Sequence, residues 1–356
     1  MRSARHVAPA GVRIIRNTHR DPKDMAACEL LYLTQQEVID CGPTLAEAIE
    51  IVEGSLLEHG LGEVENPPKP GVHPLTDTFI HAMPALLKRK RLVGLKWVGG
   101  FFENPKRGLP SISGLIVLND HETGIPTAVM DCAYITALRT AACSAVAAKH
   151  LARRDAATLG LVGAGVQGRY NLLTLREVMP KLKTVRFVEI IPAVRERFIA
   201  DMAERTHLEI VAVDSIEAAF AGADVILTAT GQLHEVLFYG RWVGEGVTIL
   251  PIHSAGWEAQ ALRDCEKFIV DDWDQFEQST GADGKLYHPL PPLYAELGEI
   301  VAGKKPGRET DSERIVDFNY GLAIHDVAMA AAVLTRAKAK GLGTMLPQLD
   351  GEMPYV

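Results

Sequence analysis

GLVGAGVQGRY, residues 160–170, places glycines at 163, 165 and 168 directly after the apolar run TLGLV. A bare G-x-G-x-x-G is common. Between an apolar strand and a helix running to Met179, just before Pro180, it reads as a dinucleotide-binding turn. Gly163 allows the tight turn, Gly165 lets a pyrophosphate approach the backbone, and Gly168 lets helix and strand pack closely. The intervening Ala164, Val166 and Gln167 present backbone N–H groups at the positive helix end, where phosphates sit. The next apolar run, VRFVEI, puts Glu189 21 residues past Gly168. An acid there accepts hydrogen bonds from a ribose 2′-hydroxyl and repels a 2′-phosphate, so the expected cofactor is NAD and not NADP.

Around that turn the pattern is strand, helix, strand, helix. Strand-like runs fall at 157–162, 185–190, 209–213, 224–229, 247–252 and 267–271. This alternation predicts a doubly wound parallel sheet. About 150 residues precede it, and they read differently. Thr44 and Glu47 form a capping box for a helix over 45–59, and runs at 77–82, 92–98, 112–119 and 126–131 look like strands. From Tyr134 to Arg154 the chain is a helix rich in Ala, Ser and Cys, and NYGLAIHDVAMAAAVLTRAKAKG near the end is a long amphipathic helix returning to the first domain. The expected organisation is an α/β chain with a Rossmann domain, 151–316, inserted into a discontinuous α+β domain made of 1–150 and 317–356.

Bulk properties narrow the function. The net charge is −8 and the pI about 5.9. The one basic cluster, Lys88–Arg91, reads as a solvated turn, so no nucleic-acid partner is expected. No apolar run is long enough to span a membrane. The five cysteines, Cys28, Cys41, Cys132, Cys143 and Cys265, lack close-paired spacing and read as reduced thiols of a cytoplasmic protein. Histidines and cysteines lack ligand spacing, so no metal site is expected. The first 20 residues carry five arginines before the first acid and read as a loose extension or an extra edge strand.

Two charges stand where the pattern is apolar. Lys96 lies in LVGLKWVGG and Arg139 in DCAYITALRTAAC. A buried cation needs a partner. If Thr136 caps its helix, Arg139 falls in the first turn, where a cation opposes the helix dipole. A guanidinium beside a helix N-terminus would seat an anion, and its fork suits a carboxylate.

The chain resembles the ornithine cyclodeaminase/mu-crystallin family. The resemblance runs from residue 94 to residue 333, through GLKWVGGFFENPKRGLPSISGLIVLNDHETGIPTAVMD, ITALRTAACSAVAAKHLA, LGLVGAGVQG, ADVILTAT, ELGEIVAGKKPGRETD and YGLAIHDVAMAAAV. It implies a homodimer formed through the sheet of the first domain, and NAD bound by the inserted one. It also implies hydride transfer at the α-carbon of a small amino or imino acid. Lys96 and Arg139 would bind the substrate α-carboxylate, Thr140 and Gly163–Gly168 the pyrophosphate, and Glu189 the adenosine ribose. Thr230 and Gly321 would lie near the cofactor, and Met83 and Asn319 near the substrate. Lys69, in PPKPG, stands where the family often has an arginine.

Two departures bear on the substrate. Where ornithine cyclodeaminase has an acid two positions before Met83–Pro84, this chain has His81. Where that enzyme has a catalytic aspartate after the fifth Rossmann strand, the loop here is PIHSAGWEAQAL, with His253 or Ser254 nearest. Charged histidines with Lys69, Lys96 and Arg139 would make a cationic pocket, suited to a dicarboxylic imino acid such as iminosuccinate. Lys96 or His81 would be the general acid, and His325 reads as helix packing. The rival readings are a cyclodeaminase acting on ornithine or lysine, and a non-enzymatic binding protein like mu-crystallin.

Overall fold

The computed structural model describes residues 28–349 except 232, 254 and 282–286. The Arg-rich start and Ser254 lie outside the described residues. The chain begins with β1 (Cys28–Leu33), α1 (Gln35–Asp40), α2 (Leu45–Gly60) and the strands β2 (Val64–Glu65), β3 (Gly71–Val72), β4 (Thr78–Leu87) and β5 (Leu92–Phe101). β6 (Ile112–Asn119), β7 (Pro126–Asp131) and α3 (Ala133–Leu151) follow. The expected capping box of α2 is present, with Thr44 accepting from Glu47 N and Glu47 accepting from Thr44 N.

The second part alternates as expected, through β8 (Thr158–Val162), α4 (Val166–Val178), β9 (Thr184–Val188), α5 (Pro192–Thr206), β10 (Glu209–Ala212), α6 (Ile216–Phe220) and β11 (Val225–Thr228). It continues with β12 (Thr248–Pro251), α7 (Ala259–Arg263), β13 (Lys267–Val270), α8 (Trp273–Gly281), β14 (Leu293–Glu296), α9 (Leu297–Val301) and β15 (Ile315–Phe318). The chain then returns through α10 (Ala323–Lys340) and β16 (Thr344–Leu349).

Two eight-stranded sheets result. The first runs β16-β1-β7-β6-β5-β4-β2, with β3 on β4. The second runs β10-β9-β8-β11-β12-β15-β13-β14, its pairs parallel throughout. Its central strands include buried apolar runs such as VILT and TILP, as a sheet covered on both faces requires. Chain order reverses between β8 and β11, so a ligand crevice lies at their carboxyl ends.

Three sequence expectations need correction. β15 lies inside the second sheet, so that sheet runs two residues past the expected boundary at 316. β16 closes the edge of the first sheet beside β1, a strand the sequence reading did not find. And α3 starts at Ala133, not after Thr136: the Asp131 carboxylate accepts the Ala133 N–H at 2.9 Å, which supplies the cap earlier. Arg139 therefore sits in the second turn, where the helix dipole has little hold on it. Its placement has another cause.

α3 is buried along nearly its whole length. Its small residues let α4 come close enough for Thr174 Oγ1 to donate to the Ala141 carbonyl at 2.9 Å. α10 lies on the inner face of β4, β5 and β6 and against α2 and α3. These contacts bring the inner face of the first sheet to the carboxyl edge of the second.

Candidate active site

The glycine turn leaves β8 at that carboxyl edge. Gly163 has φ +97°, and a Cβ on it would stand 2.4 Å from the Ala229 carbonyl oxygen. A Cβ on Gly168 would stand 2.2 Å from the Gly163 carbonyl. Gly165 differs: a Cβ there would meet nothing within 4 Å. Two glycines are therefore demanded by the fold itself, while the middle one leaves open space at the N-terminus of α4. Glu189, just past β9, accepts from Ala164 N and Ile191 N at 3.0 Å each. Its carboxylate thus borders the turn. Val166 is exposed, and the Gln167 side chain bonds Asn171. Thr230 follows β11, and its hydroxyl is sealed from solvent with no partner among the described residues. The open glycine, the helix start and the flanking acid fit a dinucleotide. Thr140 Oγ1 donates to the Thr136 carbonyl of its own helix at 2.8 Å.

The buried charges converge beside this edge. Lys96, on the inner face of β5, is 1% exposed and Arg139 7%. Their common partner is Asp326 on α10, itself 0% exposed. Lys96 Nζ stands 2.8 Å from Asp326 Oδ2, and Arg139 Nε donates to Asp326 Oδ1 at 3.1 Å. That bond uses only the Nε of the guanidinium. Neither terminal nitrogen of Arg139 has a hydrogen-bond partner among the described residues. One carboxylate thus holds two cations, leaves a net positive charge and frees the two-pronged end of the arginine. Burial and the Arg139 charge push Lys96 down to about 8, against the pull of Asp326. Burial works against the charge of Asp326, yet Arg139 and Lys96 keep its carboxyl below the ordinary value.

Lys69 enters from the loop before β3. Its Nζ donates to the Tyr320 carbonyl at 2.7 Å, and burial lowers it to about 8 although Asp271 acts in the opposite sense. Asp271 follows β13 and accepts the Gly321 N–H. Gly321 has φ +89°, and a Cβ on it would stand 2.4 Å from Arg139 Nη1. Its neighbour in the site is thus Arg139. Asn319 Nδ2 donates to Asp317 Oδ2 and lies 3.4 Å from Cys143 Sγ.

The histidines are not the cations the sequence suggested. His81 shares the inner face of β4 with buried Met83, which pairs in register with Lys96, and its ring stacks on Phe79 at 4.3 Å. Burial, with Lys69 next in weight, lowers it to about 4. His253, past β12, stacks on Phe238 at 5.3 Å and is lowered to about 4 by burial. Both are neutral at pH 7 in the free protein. His325 bonds Ser55 Oγ at 2.7 Å and is lowered by burial to about 3, as befits helix packing.

Sequence reasoning missed Asp326 and Asp271. The signal for Asp326 was present: an acid amid GLAIHDVAMAAAV is as anomalous as Lys96 in its own apolar run. Among the described residues no group of three or more His, Cys, Asp or Glu is placed to hold a metal ion, and no helix is long and apolar enough to cross a membrane.

Comparison with known proteins gives the family of the chain. The model of the ornithine cyclodeaminase/mu-crystallin family matches residues 31–341. The nodulation efficiency protein NfeD of Rhizobium meliloti is 41% identical over 88% of this chain and 98% of its own length. Alanine dehydrogenase of Archaeoglobus fulgidus is 35% identical over 89% of this chain and 98% of its own. The solved structure of Thermococcus litoralis Δ1-pyrroline-2-carboxylate reductase, in complex with NADH and L-proline, superposes with a TM-score of 0.80. It is 31% identical and covers 88% of this chain and 99% of that one.

Proposed function

This chain belongs to the ornithine cyclodeaminase/mu-crystallin family as an NAD-dependent oxidoreductase, and we propose that it transfers a hydride to or from the α-carbon of a small α-imino or α-amino acid. The observation that carries this reading is the free fork of Arg139, steadied from behind by Asp326 and flanked by Lys96. A carboxylate docks on such a fork with two parallel charge-assisted hydrogen bonds. Gly163–Gly168 with the start of α4 would hold the NAD pyrophosphate, Glu189 the ribose hydroxyls, and Thr230 would border the nicotinamide. Bound there, the cofactor supplies or accepts the hydride.

The protein's own part is binding, orientation and proton management. Arg139 fixes the α-carboxylate and hence the face of the α-carbon presented to the second domain. Lys96, lowered to about 8, exchanges its proton near neutral pH. It would protonate the imine nitrogen in the reductive direction and take up the amine proton in the other. Asp326 touches no substrate in this scheme. It keeps the two cations side by side.

We assign the substrate to small dicarboxylic imino acids, iminosuccinate giving L-aspartate being the simplest. Support comes from Lys69, an ammonium with no carboxylate within ion-pair distance among the described residues. His81 and His253 contribute as neutral hydrogen-bonding groups, and an arriving carboxylate would favour their protonation. We also assign a homodimer, with a second copy on the outer face of the first sheet, where Tyr32, Trp97, Leu115 and Leu346 are 37–46% exposed.

The test is the absorbance of the reduced cofactor. Purified protein is mixed with NADH, ammonia and a panel of 2-oxo acids including oxaloacetate and pyruvate. A parallel series holds NAD with ornithine or lysine and is assayed for ammonia. Loss of NADH, fastest with oxaloacetate, is the expected result. Fastest loss with pyruvate removes the dicarboxylic assignment alone. Ammonia from ornithine without net change in the cofactor overturns the reductase reading in favour of a cyclodeaminase.

A further inference from the structure

Asp271 is a buried acid that the scheme above does not use. It is 0% exposed at the carboxyl end of β13. Its Oδ2 accepts the N–H of Gly321, while the ammonium of Lys69 donates to the carbonyl of Tyr320 at 2.7 Å. That carbonyl and that N–H belong to one peptide unit. Lys69 and Asp271 therefore grip the Tyr320–Gly321 peptide from opposite ends, cation on its oxygen and anion on its hydrogen. Two such bonds through one peptide polarise each other in a low-dielectric interior. The three parts come from different places: the loop before β3, the turn between β15 and α10, and the carboxyl end of β13 inside the second sheet. Gln275 Nε2 adds a bond to the Gly321 carbonyl at 3.3 Å. The gripped peptide presses on the site, because Gly321 leaves no room for a side chain against Arg139 Nη1.

We infer that Asp271 is a positioning residue: acting through the Tyr320–Gly321 peptide, its carboxylate keeps the Lys69 side chain a charged ammonium and fixes it beside the Arg139 fork. The role of Lys69 toward substrate rests on the amino-acid reading above. The link between Asp271 and Lys69 does not.

The surrounding charges are consistent with one negative charge at this place. Asp271 itself is raised to about 6 by burial, with Lys69 the largest force holding it down. Asp317 on β15 is pushed far upward by burial and then by Asp271. Cys143 on α3 is pushed up by burial as well. Asp272 lies next in the chain, His59 on α2 feels the charge, and the Tyr320 hydroxyl is raised beyond the physiological range. Facing Lys69 are Arg139, Lys96 and Asp326, and His81 on β4. Among the charges acting on Lys69 only Asp271 and Asp326 favour its ammonium, and Asp271 outweighs Asp326.

The experiment reads Lys69 directly. The full chain with NADH bound is pulsed with a trace of acetic anhydride across pH 5–10, and acylation of Lys69 is quantified by peptide mass spectrometry. In the wild type the midpoint is expected near 8. In Asp271→Asn it is expected to fall by about one unit or more, so that Lys69 acylates roughly fivefold faster at pH 7. Asp271→Glu restores a charge and should move the midpoint back. An unchanged midpoint in a folded, NADH-binding Asp271→Asn protein overturns the proposal.

Should that variant not fold, Lys69→Met tests the same link from the other end. Without the ammonium, the buried charge of Asp271 is left uncompensated and its pKa rises further. Melting temperature should then decline from pH 6 to pH 8 more steeply than in the wild type. Parallel profiles would refute the coupling. Neither readout requires turnover, so failure of the amino-acid reading and failure of this link remain separate results.

Discussion

Replacing Asp326 by Asn keeps the shape of the side chain and removes the one carboxylate that Lys96 and Arg139 share. Both cations are more than nine-tenths buried, with Nζ at 2.8 Å and Nε at 3.1 Å from its oxygens. Removing one partner of a buried ion pair costs about 3–5 kcal/mol, because the remaining charge is left uncompensated. Here two charges are left, and Lys96 has an escape that Arg139 lacks: it can shed its proton. Already lowered to about 8 with Asp326 present, it falls further without it. The sign of the pH effect follows. Between its folded value and 10.5 the unfolded chain binds more protons at Lys96 than the folded one, so stability rises with pH across that window. In Asp326→Asn the window opens at lower pH. The variant should therefore melt several degrees below the wild type at pH 6 and recover part of the loss by pH 8, as followed by circular dichroism. In kinetics, the limb of the pH–rate profile set by Lys96 should move downward by about one unit or more. Asp326→Glu should restore the position of that limb. A variant with wild-type melting and an unmoved limb would refute the shared-carboxylate argument.

Other outcomes follow from the same geometry. Arg139→Lys retains the charge but loses the fork. A charge-assisted hydrogen bond is worth about 1.5–3 kcal/mol, so kcat/KM should fall roughly tenfold to a hundredfold, with NADH affinity unchanged. Because Lys96 must carry a proton in one direction and lack it in the other, kcat/KM for reduction should fall above pH about 8 and that for oxidation should rise through the same value. Profiles that move in the same direction would exclude Lys96 as the proton carrier. Gly168→Ala should destabilise the fold, its Cβ standing 2.2 Å from a carbonyl oxygen, whereas Gly165→Ala should melt normally and weaken NADH binding, measured by fluorescence titration.

Much of the second domain was readable in advance because strands such as TLGLV and VILT are buried apolar runs, and an all-buried parallel strand needs no partner nearby in sequence to be recognised. Two glycines of the turn were readable from their spacing: Gly163 takes a positive φ, and a Cβ on Gly168 would stand 2.2 Å from a carbonyl oxygen, whereas a Cβ on Gly165 would meet nothing within 4 Å. What escaped depended on distant pairing. β15 is a four-residue strand that slots between β12 and β13, out of chain order, and β16 gains its partner β1 from the far end of the chain. Thr136 looked like a cap, but Asp131, five residues earlier, holds the amide that starts the helix. His81 and His253 were read as cations from the two positions where the family enzyme carries acids, whereas burial lowers both to about 4. Lys96 and Arg139 were visible as charges in apolar surroundings. Their partner was missed because the same test was not applied to Asp326 in the last long helix.

The most direct test of hydride transfer at the α-carbon uses NADH deuterated at the transferable C4 position. The protein is incubated with it, ammonia and oxaloacetate, and the amino acid formed is analysed by mass spectrometry. The account predicts aspartate carrying one deuterium, bonded to the α-carbon. Aspartate without deuterium, or with deuterium elsewhere than on the α-carbon, would contradict it.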